Sequence, residues 1–77
     1  LNAAETAVNN LVHQGYTVVE VQLAPVNPVI WIEYTPLCKK LCGTWLGQTG
    51  GPTSRHYIWQ KMMSSCRVQW TTQEKHN

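Results

Sequence analysis

A four-residue link, Pro25-Val26-Asn27-Pro28, is the feature that most constrains how this chain can fold. It separates the segment Tyr16–Ala24, in which apolar and polar residues alternate, from Val29–Tyr34, which is rich in β-branched and aromatic residues. Both patterns are typical of β-strands. A parallel pair of strands needs a crossover of a dozen or more residues, so a link this short predicts an antiparallel hairpin.

An amphipathic helix is predicted before this hairpin, over Ala3–Gln14. Asn2 suits the N-cap position, and Glu5 follows at the spacing of a capping box. Gly15 is predicted to end the helix, because helices commonly end at a residue with positive φ. The apolar residues recur at helical spacing, at Ala4, Ala7, Val8, Leu11 and Val12.

A second helix is predicted to begin at Thr35-Pro36, with Thr as the N-cap and Pro in the first turn. An apolar stripe at Leu37, Cys38, Leu41, Cys42 and Trp45 supports a helix of about ten residues. Gly47 would end it, and residues 47–54 are predicted to form a flexible loop because they are rich in Gly, Thr and Ser.

Two further strands are predicted, at Arg55–Met62 and Cys66–Thr72. The predicted fold class is therefore α+β, in the order α-β-β-α-β-β. It would consist of an antiparallel sheet of about four strands with both helices packed on one face. Residues 1–72 are predicted to form a single domain, since 77 residues allow only one. Residues 73–77 are predicted to be a disordered tail.

The composition predicts a reduced, cytoplasmic protein that does not enter a membrane. Three cysteines are an odd number, whereas a small secreted domain normally carries an even disulfide framework. No secretory signal pattern is recognisable, and no apolar run approaches the roughly 20 residues of a membrane-spanning helix. The net charge is only +2, which argues against a dedicated nucleic-acid binder.

Cys38, Cys42, His56 and Cys66 are the only set whose chemistry suits a metal such as zinc, which prefers four nitrogen or sulfur ligands. The two cysteines of the second predicted helix also belong to its apolar stripe, and buried Cys commonly acts as a small apolar residue. The structural role is therefore favoured, and neither a metal nor another cofactor is predicted.

The sequence does not favour an enzyme. Cys66 with His56 or His13 is the only conceivable pair of nucleophile and base, and no third group or oxyanion site accompanies it. The chain also has just four acidic residues. We therefore expect a domain that binds another macromolecule.

The most informative residues lie on the third and fourth predicted strands. Tyr57, Trp59 and Lys61 share one phase of alternation, and Arg67 and Gln69 are predicted beside them on the neighbouring strand. Such a face suits protein binding, since Trp, Tyr and Arg are enriched in interface hot spots. Alternatively, the same phase is the core, and the sequence leaves open which phase of residues 55–62 faces the helices.

Trp31 raises the same question on the second strand. If Ile30 and Ile32 face the helices, Trp31 lies on the uncovered face of the sheet. The predicted protein-binding surface consists of Trp31, Tyr57, Trp59, Lys61, Arg67 and Gln69. The alternative is a nucleic-acid-binding face, in which Arg55, Lys61 and Arg67 neutralise phosphates while the aromatic side chains stack on bases.

Three segments carry a resemblance to a known class of proteins: GYTVVEVQ at residues 15–22, NPVIWI at 27–32 and CRVQW at 66–70. They resemble small accessory proteins of enterobacterial lambdoid phages and prophages. The resemblance implies a short cytoplasmic protein that inhibits or redirects a host or phage protein by binding it. A second copy of the chain is a further candidate partner, because small domains often cover an open sheet face by dimerising.

Overall fold

The computed structural model describes residues 3–23, 26–51, 54–63 and 65–73. These residues form one α-helix, one short 3₁₀ helix and five strands. In chain order the elements are α1 (Ala3–His13), β1 (Val18–Gln22), β2 (Val29–Ile32), η1 (Pro36–Leu41), β3 (Thr44–Gly51), β4 (Ser54–Met63) and β5 (Cys66–Gln73). The α+β class is confirmed, but the number of helices and strands is not.

The helix α1 ends where the sequence predicts. Gly15 has a φ of 98°, a conformation that glycine adopts without a steric penalty. The Gly15 N–H donates to the Val12 carbonyl at 3.1 Å, and the Tyr16 N–H donates to the Leu11 carbonyl at 3.0 Å. These bonds satisfy carbonyl groups of the last turn. The predicted cap, Asn2, lies outside the described residues.

The predicted hairpin is confirmed: β1 and β2 pair antiparallel, with Val21 opposite Ile30. The strand β1 is shorter than predicted, and the register shifts between Val18 and Glu20. Val19 is therefore the extra residue of a β-bulge, and its side chain is exposed.

The second helix is the main error of the sequence prediction. Only the 3₁₀ helix η1 forms, and Cys42 then adopts a left-handed conformation with a φ of 53°. A Cβ atom at Gly43 would lie 2.6 Å from Cζ2 of Trp70, so the backbone passes directly against that ring. The chain then continues as β3, which includes Trp45 and most of the predicted flexible loop.

The sheet has five strands in the order β1-β2-β5-β4-β3, not four antiparallel strands. The pair β2 and β5 is parallel, with Ile30 opposite Val68, and the other pairs are antiparallel. The segment between β2 and β5 contains η1, β3 and β4, which makes it long enough for the crossover that a parallel pair requires.

The hydrophobic core lies between one side of the sheet and the two helices. α1 contributes Ala4, Ala7 and Leu11, and η1 contributes Cys38 and Leu41. Tyr16 completes this helical layer, and its hydroxyl donates to the Leu37 carbonyl at 3.1 Å. The sheet contributes Ile30, Ile32, Cys66, Val68 and Trp70.

The last strand extends one residue beyond the predicted domain boundary, because Gln73 belongs to β5. The rest of the predicted tail, residues 74–77, lies outside the described residues. Neither helix in the described part of the chain has the length and apolar character needed to cross a membrane.

Candidate protein-binding face

Both helices cover the same side of the sheet, so the other side carries no helical layer from the described residues. Side chains alternate between the two sides along a strand, and directly opposed residues of paired strands share a side. The side without helices, here called the open face, therefore presents Trp31, Ile58, Gln60, Met62 and Arg67.

The centre of the open face is a row of side chains across three strands. Trp31 of β2 lies opposite Gln69 of β5, which lies opposite Gln60 of β4. Gln69 is only 6% exposed although neither described helix covers it, because it lies between the side chains of Trp31 and Gln60. Trp31 is half-buried. The row combines an indole with two amides, which gives the face both apolar surface and hydrogen-bonding groups.

The open face also holds a buried donor and a buried acceptor without a hydrogen-bond partner among the described residues. These atoms are Nε of Arg67 and Oε1 of Gln60. Gln60 lies opposite Gln69, two positions along β5 from Arg67, so the two side chains are diagonal neighbours. An unpaired buried polar group lowers the stability of the folded protein by about 1–3 kcal/mol. A contact that rearranges the Arg67 and Gln60 side chains would therefore change their contribution to stability.

The pairing register of β4 with β5 places the residues of the predicted protein-binding surface on two different sides of the sheet. Trp59 lies opposite Trp70, a core residue, and its Nε1 donates to Oγ1 of Thr72 at 3.0 Å. Tyr57 and Lys61 share the phase of Trp59, so all three lie on the helix side of the sheet. They do not share a face with Trp31, Arg67 and Gln69, because the pairing of β4 with β5 is shifted by one residue from the predicted alignment.

The basic residues of the nucleic-acid alternative are divided in the same way. Arg55 and Lys61 are exposed and share the phase of Trp59, whereas Arg67 lies on the open face. A stripe of positive charge on one face is the usual electrostatic footprint of a nucleic-acid binder. These three residues do not form such a stripe.

The cysteines and His56 are not assembled into a metal site. Cys38 is buried in the core, and its Sγ donates to the Glu33 carbonyl at 3.6 Å. Cys42 is exposed, contrary to the expectation that it packs with Cys38 in an apolar stripe. Within the described residues, no three His, Cys, Asp or Glu side chains lie close enough together to hold a metal ion.

The only conceivable pair of nucleophile and base, Cys66 with His56 or His13, is not brought together. Cys66 pairs with Met63 at one end of the β4–β5 ladder, and His56 pairs with Gln73 at the other end. Met63 lies seven residue steps along β4 from His56, a distance of roughly 23 Å. His13 is exposed at the end of α1. Burial also raises the pKa of the Cys66 thiol, which disfavours the reactive thiolate.

A groove on the helix side was missed by the sequence prediction. It has a volume of about 280 Å³ and lies between η1 and the sheet, with Trp59 and Trp70 forming an aromatic wall. Tyr34, Lys39 and Cys42 contribute to its lining. No pattern in the sequence predicts this groove, since it depends on the chain turning at Cys42 and Gly43.

Comparison of the chain with protein-family models, with curated proteins and with solved structures found no match. The resemblance to phage accessory proteins, and the function that it implies, therefore stay predictions.

Proposed function

We propose that this chain is a non-enzymatic binding domain whose partner protein docks on the open face of the sheet. The observation that carries the proposal is the placement of both helices on one side, which leaves Trp31 in the middle of a sheet surface that neither described helix covers. Ile58 is half-buried and Met62 is 51% exposed on the same face. Their apolar surface would be removed from water by a partner.

The residue types of the open face suit a protein interface. Trp and Arg are enriched among residues that dominate binding energy, and Met is enriched in interface cores. Trp31 and Arg67 lie on adjacent strands, and Arg67 is opposite Val29, two residues before Trp31. A partner that covers this corner would bury an aromatic anchor beside a cation, which is the usual composition of a hot spot.

The role of such binding follows from the class that the chain resembles. An accessory protein without a catalytic centre acts by occupying a surface of its target, so that the target is inhibited or redirected. We therefore propose a modulator that works in the cytoplasm of a bacterial cell, with a host or phage protein as its target.

A matched pair of substitutions tests the docking surface. Met62→Lys and Val12→Lys introduce the same charge at apolar residues of similar exposure, 51% and 57%, but on opposite sides of the molecule. We expect Met62→Lys and Trp31→Ala to lose the proteins that the unmodified chain captures from an enterobacterial lysate. Val12→Lys is expected to retain them, since α1 lies on the helix side.

Capture that persists in both Met62→Lys and Trp31→Ala would show that the open face is not the docking surface.

The salt dependence of binding distinguishes the nucleic-acid alternative from a protein partner. Binding to phosphate groups weakens steeply as the salt concentration rises, because counterions are released on binding. The chain could bind random DNA or RNA at low salt, with an affinity that depends on Arg55, Lys61 and Arg67 together. This result would favour a nucleic-acid partner over the proposed protein partner.

A further inference from the structure

We propose that two copies of this chain associate through the edge strand β3, so that their sheets join into one continuous antiparallel sheet. The strand pairs only with β4 among the described strands, so its other edge carries backbone N–H and C=O groups without a strand partner. Such an edge is a template for strand addition unless the protein protects it.

The protection of β3 is incomplete. Charged side chains and proline are the usual means of blocking an edge strand, and Thr44–Gly51 contains neither. A bulge does interrupt the register between Trp45 and Gly47. After the bulge the pairing with β4 continues from Gly47 to Gly51, although Gly50 has a φ of 107°, and the outer edge of these five residues has no partner among the described strands.

The opposite edge of the sheet is a poorer site for self-association. Its strand β1 has five residues, and a bulge near its start leaves only Glu20–Gln22 in regular register. Antiparallel pairing of β1 with a second β1 would bring two Glu20 carboxylates close together. Like charges opposite each other destabilise a strand pair, whereas β3 carries no charge to repel its copy.

The order of large and small residues makes β3 complementary to itself. Its first half contains Trp45 and Leu46, which are 54% and 43% exposed, and its second half contains Gly50 and Gly51. A two-fold axis at Gln48 places Gln48 opposite its own copy and Leu46 opposite Gly50 of the second copy. The large apolar side chains of each copy then cover the glycines of the other.

The neighbouring strand adds a second favourable contact in this arrangement. Arg55 of β4 lies opposite Gly50, which has no side chain to separate it from the next strand. The aliphatic part of the Arg55 side chain can therefore pack across Gly50 against Leu46 of the second copy.

A charge exchange at the two-fold axis tests this arrangement. Gln48→Lys and Gln48→Glu each place like charges opposite one another, so each is expected to weaken the dimer about fivefold or more. An equal mixture of the two variants places opposite charges there and is expected to restore the dimer. The measurement is sedimentation velocity across a dilution series, in which the unmodified protein has twice the chain mass of 8.8 kDa.

Val12→Lys is the control, because it adds the same charge at an exposed apolar residue of α1, away from β3. It is expected to remain dimeric. The proposal is overturned if the unmodified protein is a monomer at every concentration, if Gln48→Lys and Gln48→Glu dimerise as well as it does, or if Val12→Lys is equally weakened. Circular dichroism of the monomeric variants checks that they remain folded.

This association is independent of the proposed partner protein. Gln48 lies opposite Tyr57, on the helix side, so its substitution leaves the open face intact. A monomeric Gln48→Lys variant that still captures the partner supports both proposals. A dimer that captures nothing would contradict the proposed function alone.

Discussion

The covered half of the sheet, formed by β1, β2 and β5 under α1 and η1, differs sharply from the outer hairpin formed by β3 and β4. In β5, Cys66, Val68 and Trp70 are buried core residues. In β3, every residue except the half-buried Gly47 is exposed. Both regions are paired strands of one sheet, so hydrogen bonding does not distinguish them. Burial does, and burial of apolar surface is the dominant favourable contribution to folding.

The outer hairpin is joined to the covered half by the β4–β5 ladder, which runs from His56 opposite Gln73 to Met63 opposite Cys66, and by aromatic side chains. Trp45, Trp59 and Trp70 lie opposite one another on three successive strands, so that a row of indoles runs from the exposed edge into the core. This row is one of the contacts that hold the hairpin against the core, since Trp59 packs against the buried residues. The stability of this domain is therefore concentrated in the covered half, while its exposed strand edge is in the outer hairpin.

The largest expected difference is between two isoleucines. Ile30 of β2 is fully buried, whereas Ile58 of β4 is half-buried on the open face. We expect Ile30→Ala to lower the free energy of unfolding by about 2–5 kcal/mol. Ile58→Ala should lower it by about 1 kcal/mol, the value of a cross-strand contact. Urea denaturation followed by tryptophan fluorescence measures both, and equal losses would contradict the division into two regions.

Two glycines give the next largest contrast. A Cβ at Gly43 would collide with the Trp70 ring, whereas a Cβ at Gly47 has no atom within 4 Å. We expect Gly43→Ala to destabilise the protein by about 1–3 kcal/mol, the usual effect of overpacking a core. Gly47→Ala should change the stability by no more than about 0.5 kcal/mol. Thermal denaturation of the two variants makes the comparison, and a neutral Gly43→Ala would mean that this close approach is not required.

The covered half should also be the source of the sensitivity to alkaline pH. Burial raises the pKa of the Cys66 thiol, and burial together with the nearby Cys38 raises the pKa of the Tyr16 hydroxyl. Unfolded chains therefore release these protons at lower pH than folded ones. The contribution of Cys66 to the free energy of unfolding is fully present below the ordinary thiol pKa of about 9, and it is lost as the pH rises above that value.

The expected slope is at most about 1.4 kcal/mol per pH unit for each group. Urea titrations between neutral and alkaline pH measure it. Cys66→Ala should reduce the slope first, and Tyr16→Phe should reduce it at higher pH. Cys42→Ser provides the control for removing a thiol at an exposed position.

The smallest expected change in stability concerns a side-chain hydrogen bond between the two regions. Thr72 of β5 accepts from Nε1 of Trp59 in the hairpin. Thr72→Val keeps the side-chain shape but removes the acceptor, and should cost about 1 kcal/mol. Thr49→Val on the exposed β3 should change the stability by less than about 0.5 kcal/mol. If both variants are equally stable in urea, this bond does not contribute to attaching the hairpin.

Local patterns in the sequence identified α1, β1, β2, β4 and β5. Each has a periodicity or a turn signal that acts over a few residues, such as Gly15 after α1 and the short link before β2. The prediction failed over residues 42–51, where apolar residues at helical spacing coincided with glycines that permit a strand. The pattern around Trp45 predicts a helix followed by a loop, although this stretch forms β3.

The candidate site was predicted only in part. Alternation along β2 predicts that Trp31 lies on the other face of the sheet from Ile30 and Ile32. The structure places it there, because alternation within one strand is a local property. The alignment of Tyr57, Trp59 and Lys61 with Arg67 depends on how β4 and β5 pair. A shift of one residue moves a whole strand's side chains to the other face, and the local sequence does not fix it.

The sequence by itself determined the fold class, the antiparallel hairpin and the end of α1, since each follows from steric and hydrogen-bonding rules that act between near neighbours. Only the tertiary structure decided the parallel pairing of β2 with β5, the strand β3 and the side of the sheet on which Trp59 lies. These depend on contacts between residues far apart in the chain, above all the packing of Gly43, Trp59 and Trp70. The free energy of burying those rings outweighs the weak helical preference of the segment after η1.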